Sequence, residues 1–416
     1  MQQVHLSFFT LLLWLVFAFP LPVFAHASLL GTVPENGVTL AEAPVTISLQ
    51  FNEPVSPVRV NLLDGNGNVI PLTQALSDGN TLNFTPGPMP AEGQYLFNYR
   101  VLSQDAQPIS GSIGFAVGNL LPPEANPLAA TDIGTVLLTR TVRTLLLITL
   151  LGSIGLVVYP LLFIQPPVLE AYRRDWLVVL CISGIIAAII GLGLSGALLA
   201  EKTPLSIFQE EIWTLANSTS LARSTVFVVL GFILMLLSNG HEINPGTRLL
   251  GGAGVLIASA GLVNSGHATG TTALLSPIFL MHVLMAGIWF GALTMLLTLT
   301  TRGTDTTSIQ VMKHFSPRAM RIVVILLVCA GIISWYQLGT VSALVDTAYG
   351  RWLLLKAGLV SVILVLAVLN RWRFTPALES GQSHALTRLQ NSIRIETVVM
   401  AIVIAITTVL ASTPPP

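Results

Sequence analysis

Two hydrophobic rhythms divide this chain of 416 residues. From Val45 to Val117 apolar and polar residues alternate in short runs: V-T-I-S-L-Q-F (45–51), V-R-V-N-L-L (58–63), T-L-N-F (81–84), Y-L-F-N-Y-R-V (95–101) and S-I-G-F-A-V (112–117). A period of two marks half-buried strands. Turn chemistry separates them, with P-E-N-G at 34–37, D-G-N-G-N at 64–68, S-D-G-N at 77–80 and T-P-G-P at 85–88. Several short strands with regular turns predict a small all-β sandwich over residues 26–118.

The second rhythm is continuous. Apolar runs occupy about 143–163, 176–199, 223–238, 248–264, 275–300, 320–341, 352–370 and 393–411. A bilayer core of ~30 Å takes roughly 20 apolar residues per helix, so these predict about eight transmembrane helices. The third run is short and the fifth long, which predicts tilt or a re-entrant end there. The expected fold is therefore a membrane all-α helical bundle over 140–416, behind an N-terminal all-β sandwich. A Pro-rich tether and lead-in, 119–139, joins them. Residues 1–25 read as a signal peptide, with an apolar core from Phe8 to Phe19, then Pro20, Pro22 and a V-F-A cleavage pattern. Its start departs from the usual pattern, having His5 but no Lys or Arg. Cleavage after Ala25 makes His26 the mature N-terminus.

Charge decides the orientation. The loops on one face carry Arg173, Arg174, Arg248, Arg302, Lys313, Arg318, Arg321, Arg371, Arg373, Arg388 and Arg394, whereas the face shared with the sandwich has only Lys202, Arg223 and Arg351, plus Arg140 and Arg143 before the first span. Positive charge marks the cytoplasm, so the sandwich is exported, in agreement with the leader. Only 9% of residues are charged, against roughly 25% in soluble domains. Zero net charge argues against a nucleic-acid partner. Cys181 and Cys329 sit inside apolar runs, which disfavours a disulfide framework and a cysteine zinc site. No Walker A pattern, dinucleotide fingerprint or H-E-x-x-H appears, and nothing marks an enzyme.

Candidate chemistry gathers in Ser265–Ala292. His267 lies in a polar turn between two apolar runs, and His282 lies near the start of the second, flanked by Met281 and Met285. Imidazole and thioether together suit a soft or borderline metal such as copper, whereas Ca²⁺ and Mg²⁺ take oxygen. The structural alternative is that His267 caps a turn, His282 bonds a neighbouring helix and the methionines fill gaps. His241, His314 and His384 fall in cytoplasmic loops and read as solvated. Lys356 reads as a snorkelling ammonium near the outer end of span seven. Glu396 reads as an intramembrane carboxyl accompanied by Arg394 or a carbonyl-lined cavity. Trp289 reads as packing, and Gly287 with Gly291 as a close helix contact.

These residues resemble a known family. H-A-S-L at 26–29, P-E-N-G, L-Q-F-N-E-P-V (49–55) and V-L-S-Q-D-A-Q-P-I-S-G-S-I-G-F-A-V (101–117) resemble the CopC copper-binding domain. S-G-H-A (265–268), M-H-V-L-M-A-G-I-W-F-G (281–291), H-F-S (314–316), A-Y-G-R-W-L-L-L-K (348–356) and S-I-R-I-E (392–396) resemble the CopD membrane family. The order is that of CopC–CopD fusions. The resemblance implies a multi-pass protein of the bacterial inner membrane that captures copper outside and assists its import or homeostasis. Copper ions and the lipid bilayer are the implied partners, and a periplasmic copper-carrier protein is a candidate third. It further implies Cu(II) held by the amine and ring of His26 and by Asp105. The family's second histidine is replaced here by Gln107, a poorer copper ligand. In the membrane half His267, His282 and Met285 are the candidate ligands, suited to Cu(I). Two other readings stay open: a b-type haem ligated by His267 and His282, and a non-transporting copper sensor or assembly scaffold.

Overall fold

A computed structural model describes residues 29–52, 54–74, 80–103, 108–123, 133–200, 202–217, 219–240, 244–264, 275–302 and 305–413. The signal peptide, His26, Asp105, Gln107, His241 and His267 lie outside the described residues. The chain divides into two compact units, one holding most of the long helices and the other the β-sandwich together with Gly193–Ala222.

The sandwich has nine strands. They are β1 (Leu29–Val33), β2 (Val38–Leu40), β3 (Ile47–Phe51), β4 (Val55–Asp64), β5 (Val69–Ile70), β6 (Leu72–Gln74), β7 (Thr81–Pro86), β8 (Gly93–Ser103) and β9 (Pro108–Val117). One sheet runs β1-β3-β7-β6 and the other β2-β9-β8-β4-β5. Every predicted strand is present. The four additions, β1, β2, β5 and β6, have two to five residues each, too few for alternation to declare itself. Alternation does its expected work elsewhere: Ile47, Leu49 and Phe51 of β3 are buried while Gln50 is exposed. Facing them across the sandwich, Tyr95, Phe97, Tyr99 and Val101 of β8 close the core. Phe84 and Phe97 pack at 5.7 Å between ring centroids, and Phe51 meets Tyr99 edge-on at 6.3 Å.

The turns follow their sequences. Gly37 and Gly67 take φ of 82° and 81°, which the P-E-N-G and D-G-N-G-N turns require of glycine. The predicted tether begins as a packed extension. Thr39 Oγ1 donates to the Leu120 carbonyl (3.2 Å) and Gln94 Nε2 to that of Leu121 (2.7 Å), so this part of the linker lies on the sheet.

Among the described residues, eight helices are long and apolar enough to cross a membrane. They are α1 (Ile133–Leu162), α2 (Pro167–Leu199), α3 (Ser220–Leu237), α4 (Pro245–Asn264), α5 (Leu275–Arg302), α6 (Asp305–Leu338), α7 (Ala348–Leu369) and α8 (Ala385–Leu410). Each answers one predicted span, and most run further at one end. The sixth run was expected from 320, yet α6 starts at Asp305. Its charged first turns hide a helix that still buries Val311 and Met312 and sets Phe315 5.0 Å from Phe163.

The bundle is organised around α5. In its most apolar stretch 72% of residues are buried, against 6% for α7, whose apolar surface faces outward as a lipid-facing helix must. Gly287 and Gly291 admit α1 at Gly155, where the two backbones touch. Thr144 and Thr408 hydroxyls meet at 2.9 Å between α1 and α8, and Gln390 Nε2 of α8 donates to the Thr300 carbonyl of α5.

Candidate functional site

Helix α5 carries chemistry on the side away from its glycines. Gly287 lies five residues past His282, a rotation of roughly 140° at 3.6 residues per turn. The glycine face therefore seats α1 while the His282 face meets α6. His282 sits about two turns into α5, roughly 10 Å along its axis.

Its surroundings define its chemistry. The ring is hydrogen-bonded to the backbone carbonyl of Leu326 in α6. Nδ1 is buried with no hydrogen-bond partner among the described residues. A neutral imidazole that donates through one nitrogen keeps a lone pair on the other. Second nitrogens of metal-ligating histidines are commonly anchored in this way, which fixes the tautomer. The expectation that His282 bonds a neighbouring helix holds for one nitrogen and leaves the other unexplained.

Met281 and Met285 are both buried, at 6% and 0% exposure. Met285 lies three residues beyond His282, close enough along a helix for the two side chains to be neighbours. Lys356 of α7 is the unexpected member. Because α7 begins at Ala348 and not near 352, Lys356 is two turns inside the helix and within electrostatic range of His282. It is not a lone ammonium at the surface. Sequence gave no hint of this approach, since 74 positions separate the two residues.

Among the described residues, no group of three or more His, Cys, Asp and Glu is gathered to hold a metal. His282 and Met285, three residues apart on α5, are the sequence-predicted ligands within the described residues; His314 and His384 are both exposed, but His314 lies within α6 and not in a loop, because that helix starts earlier than its apolar run. In the sandwich, the strands flanking the other candidates can be followed. Leu29 pairs with Phe51, and Val55 pairs with Ser103. Only residues 52–54 separate Phe51 from Val55, so the start of β1 and the β8–β9 connection belong to one end of the sandwich. His26 precedes that strand start, and Asp105 and Gln107 lie within that connection, outside the described residues.

Towards the cytoplasmic side the same face of α5 borders a cavity of about 650 Å³. Trp289, Leu293 and Leu296, which follow His282 at the helical repeat, line it. Opposite them stand Asn370 and Glu396, both buried. Glu396 Oε1 accepts a hydrogen bond from Asn370 Nδ2. The expected companion, Arg394, is instead exposed. Asn370 opens a π-helical turn, Asn370–Phe374, that widens the end of α7 before the short helix Thr375–Glu379.

Comparison with known proteins covers both halves. The CopC domain family matches residues 29–118, the copper resistance protein D-like N-terminal domain matches 130–277, and copper resistance protein D matches 309–410. His282 and Met285 fall between the two membrane matches. The copper transport protein CutJ of Bacillus subtilis (strain 168) is 27% identical over 403 residues, covering 86% of this chain and 70% of that protein. Copper resistance protein C of Xanthomonas campestris pv. juglandis is 32% identical over 104 residues, covering 23% of this chain and 81% of that protein. Among solved structures, CopC from Methylosinus trichosporium OB3b aligns over 23% of this chain and 99% of its own, at 26% identity and a TM-score of 0.21. PcoC from Escherichia coli, a methionine-rich copper resistance protein, gives the same identity and score. With a sandwich in front, eight long apolar helices behind and both halves matched in order, the chain belongs to the copper resistance family as a CopC–CopD fusion.

Proposed function

We propose that this protein takes up copper on the outer side of the bacterial inner membrane and passes it inward through the helical bundle. The observation that carries this reading is the free, buried Nδ1 of His282 beside Met285. Buried polar atoms are nearly always satisfied, so an anchored imidazole with an unused lone pair is matched to an electrophile. Cu(I) fits, because it accepts few ligands and favours imidazole with thioether. His267, in the outer loop before α5, is the proposed third ligand.

Lys356 shapes the affinity. A positive charge near His282 opposes a resident cation, so the site suits transit and not storage. Below it, the His282 face of α5 leads after two turns to Trp289 and the cavity. Outside, His26 and Asp105 are the proposed Cu(II) ligands of the sandwich, with affinity reduced by Gln107. The protein acts by binding and relay, without covalent chemistry.

Metal analysis of the purified full-length protein tests this directly. Equilibrated with copper, the wild type should bind it at both places, His26→Ala should lose the outer share and His282→Ala the membrane share. Gln107→His should raise Cu(II) retention. A haem absorption band that disappears in His282→Ala would replace this reading with haem ligation.

A further inference from the structure

The cavity on the inner side of the bundle holds a feature that the copper route does not use. Glu396 of α8 and Asn370 at the end of α7 are 2% and 6% exposed and both line it. One oxygen of Glu396 accepts from the Asn370 amide, and the Asn370 Oδ1 is buried without a hydrogen-bond partner among the described residues. Among the described residues, a carboxylate here has one neutral donor and no cation bonded to it. Taking a bare carboxylate out of water is costly, and a proton removes that cost.

The other charged groups lining this cavity are few. From α6 comes Lys313, which is engaged with Glu379 of the short helix at 3.2 Å. Arg371, from the π-helical turn, reaches the Ser316 carbonyl at 3.5 Å. From α5 the lining is Trp289, Leu293 and Leu296, with no charge. Thus Lys313 and Glu379 offset each other, and Arg371 is bonded to a backbone carbonyl and not to Glu396. With no cluster of metal-binding side chains among the described residues, the pair is better built for a proton than for a metal ion.

We propose that Glu396 and Asn370 form a proton-exchange site of the inner cavity, in which Glu396 takes up and releases a proton from the cytoplasmic side. A proton from cavity water bonds to Oε2, the oxygen that Asn370 does not engage. The carboxylate becomes a neutral acid while Oε1 keeps the Asn370 hydrogen bond, and the new O–H donates to water or to Asn370 Oδ1 after the amide turns. The rival role is a fixed structural pair that ties α7 to α8 in one protonation state. This inference stands apart from the copper relay and survives its failure.

Infrared difference spectroscopy of the full-length protein in lipid nanodiscs, stepped between alkaline and mildly acid pH, separates the two. The expected result is a carboxylic-acid band that appears on acidification, shifts in D₂O and is lost in Glu396→Gln. Asn370→Val should leave the band but move it, because its hydrogen bond is gone. If Glu396→Gln fails to fold, the Asn370→Val shift decides. An acid-induced spectrum unchanged by both substitutions, or by Asn370→Val alone where that is the only folded variant, overturns the proposal.

Discussion

Gly155 of α1 and Gly291 of α5 meet backbone to backbone, so that a Cβ on either would overlap the Cα of the other. Gly287 reinforces the crossing, since a Cβ there would lie 2.8 Å from the Ile154 side chain. In a bilayer the helices gain nothing from apolar burial alone, and close backbone approach supplies the packing instead. This crossing fixes α5, and with it the depth of His282.

Gly155→Leu or Gly291→Leu is therefore expected to separate α1 from α5. Overpacking of this kind costs about 1–3 kcal/mol or more. Gly331→Ala in α6 is the control, because an added Cβ there meets nothing and helix propensity improves. Thermal unfolding of the detergent-purified protein should show a lower midpoint for the two leucine variants and an unchanged or higher one for Gly331→Ala.

How much of this was legible in the sequence differs by feature. The G-x-x-x-G pair announced a close contact on α5, but its partner Gly155 sits in an apolar run that names no neighbour. The eight spans were readable because each is a continuous apolar stretch; their extensions were not, because amphipathic turns such as Val311–Phe315 carry charge between their buried positions. His282 and Met285 stood out as polar or soft groups in an apolar helix. The Leu326 carbonyl and Asn370 did not, and Lys356 stood out only as a charge in span seven and not as a neighbour of His282, since long-range side-chain meetings leave no periodic trace. The π-helical turn that positions Asn370 has no sequence signature of the kind that caps and turns possess.

Lys356 is expected to weaken cation binding at His282. Replacing it with Gln removes the charge while keeping a long polar side chain, and should tighten Cu(I) binding several-fold. Lys356→Arg should leave it weak. Competition of the purified variants with a Cu(I) chelator measures this. Equal affinity in all three proteins would place the ammonium outside the site's field.

The sandwich carries a pH-sensitive turn. The Asn68 side chain donates to Asp64 Oδ2 at 3.0 Å, and the Asn68 and Asn66 amides donate to Oδ1 at 2.8 and 2.9 Å. These bonds, that of the Asn68 side chain first, hold the Asp64 carboxyl below the ordinary value of 3.8. A depressed folded-state value means that the turn's stabilisation is present above the ordinary carboxylate range and is lost as pH falls through the lower, folded-state value. Hydrogen exchange of the 64–70 segment in the full-length protein, corrected for intrinsic rates, should rise in strong acid. Asn68→Ala should raise it already at neutral pH. Exchange in Asp64→Asn should not respond to acid.

Copper uptake in cells is the most direct measure of the central claim. Cells producing His267→Ala, His282→Ala or both are compared with wild type at matched membrane levels. If His267, His282 and Met285 form one entry site, each single substitution should reduce uptake nearly as far as the double, because members of one unit do not add. Uptake by the double variant at the wild-type rate would contradict the account and leave both histidines as structural residues of the bundle.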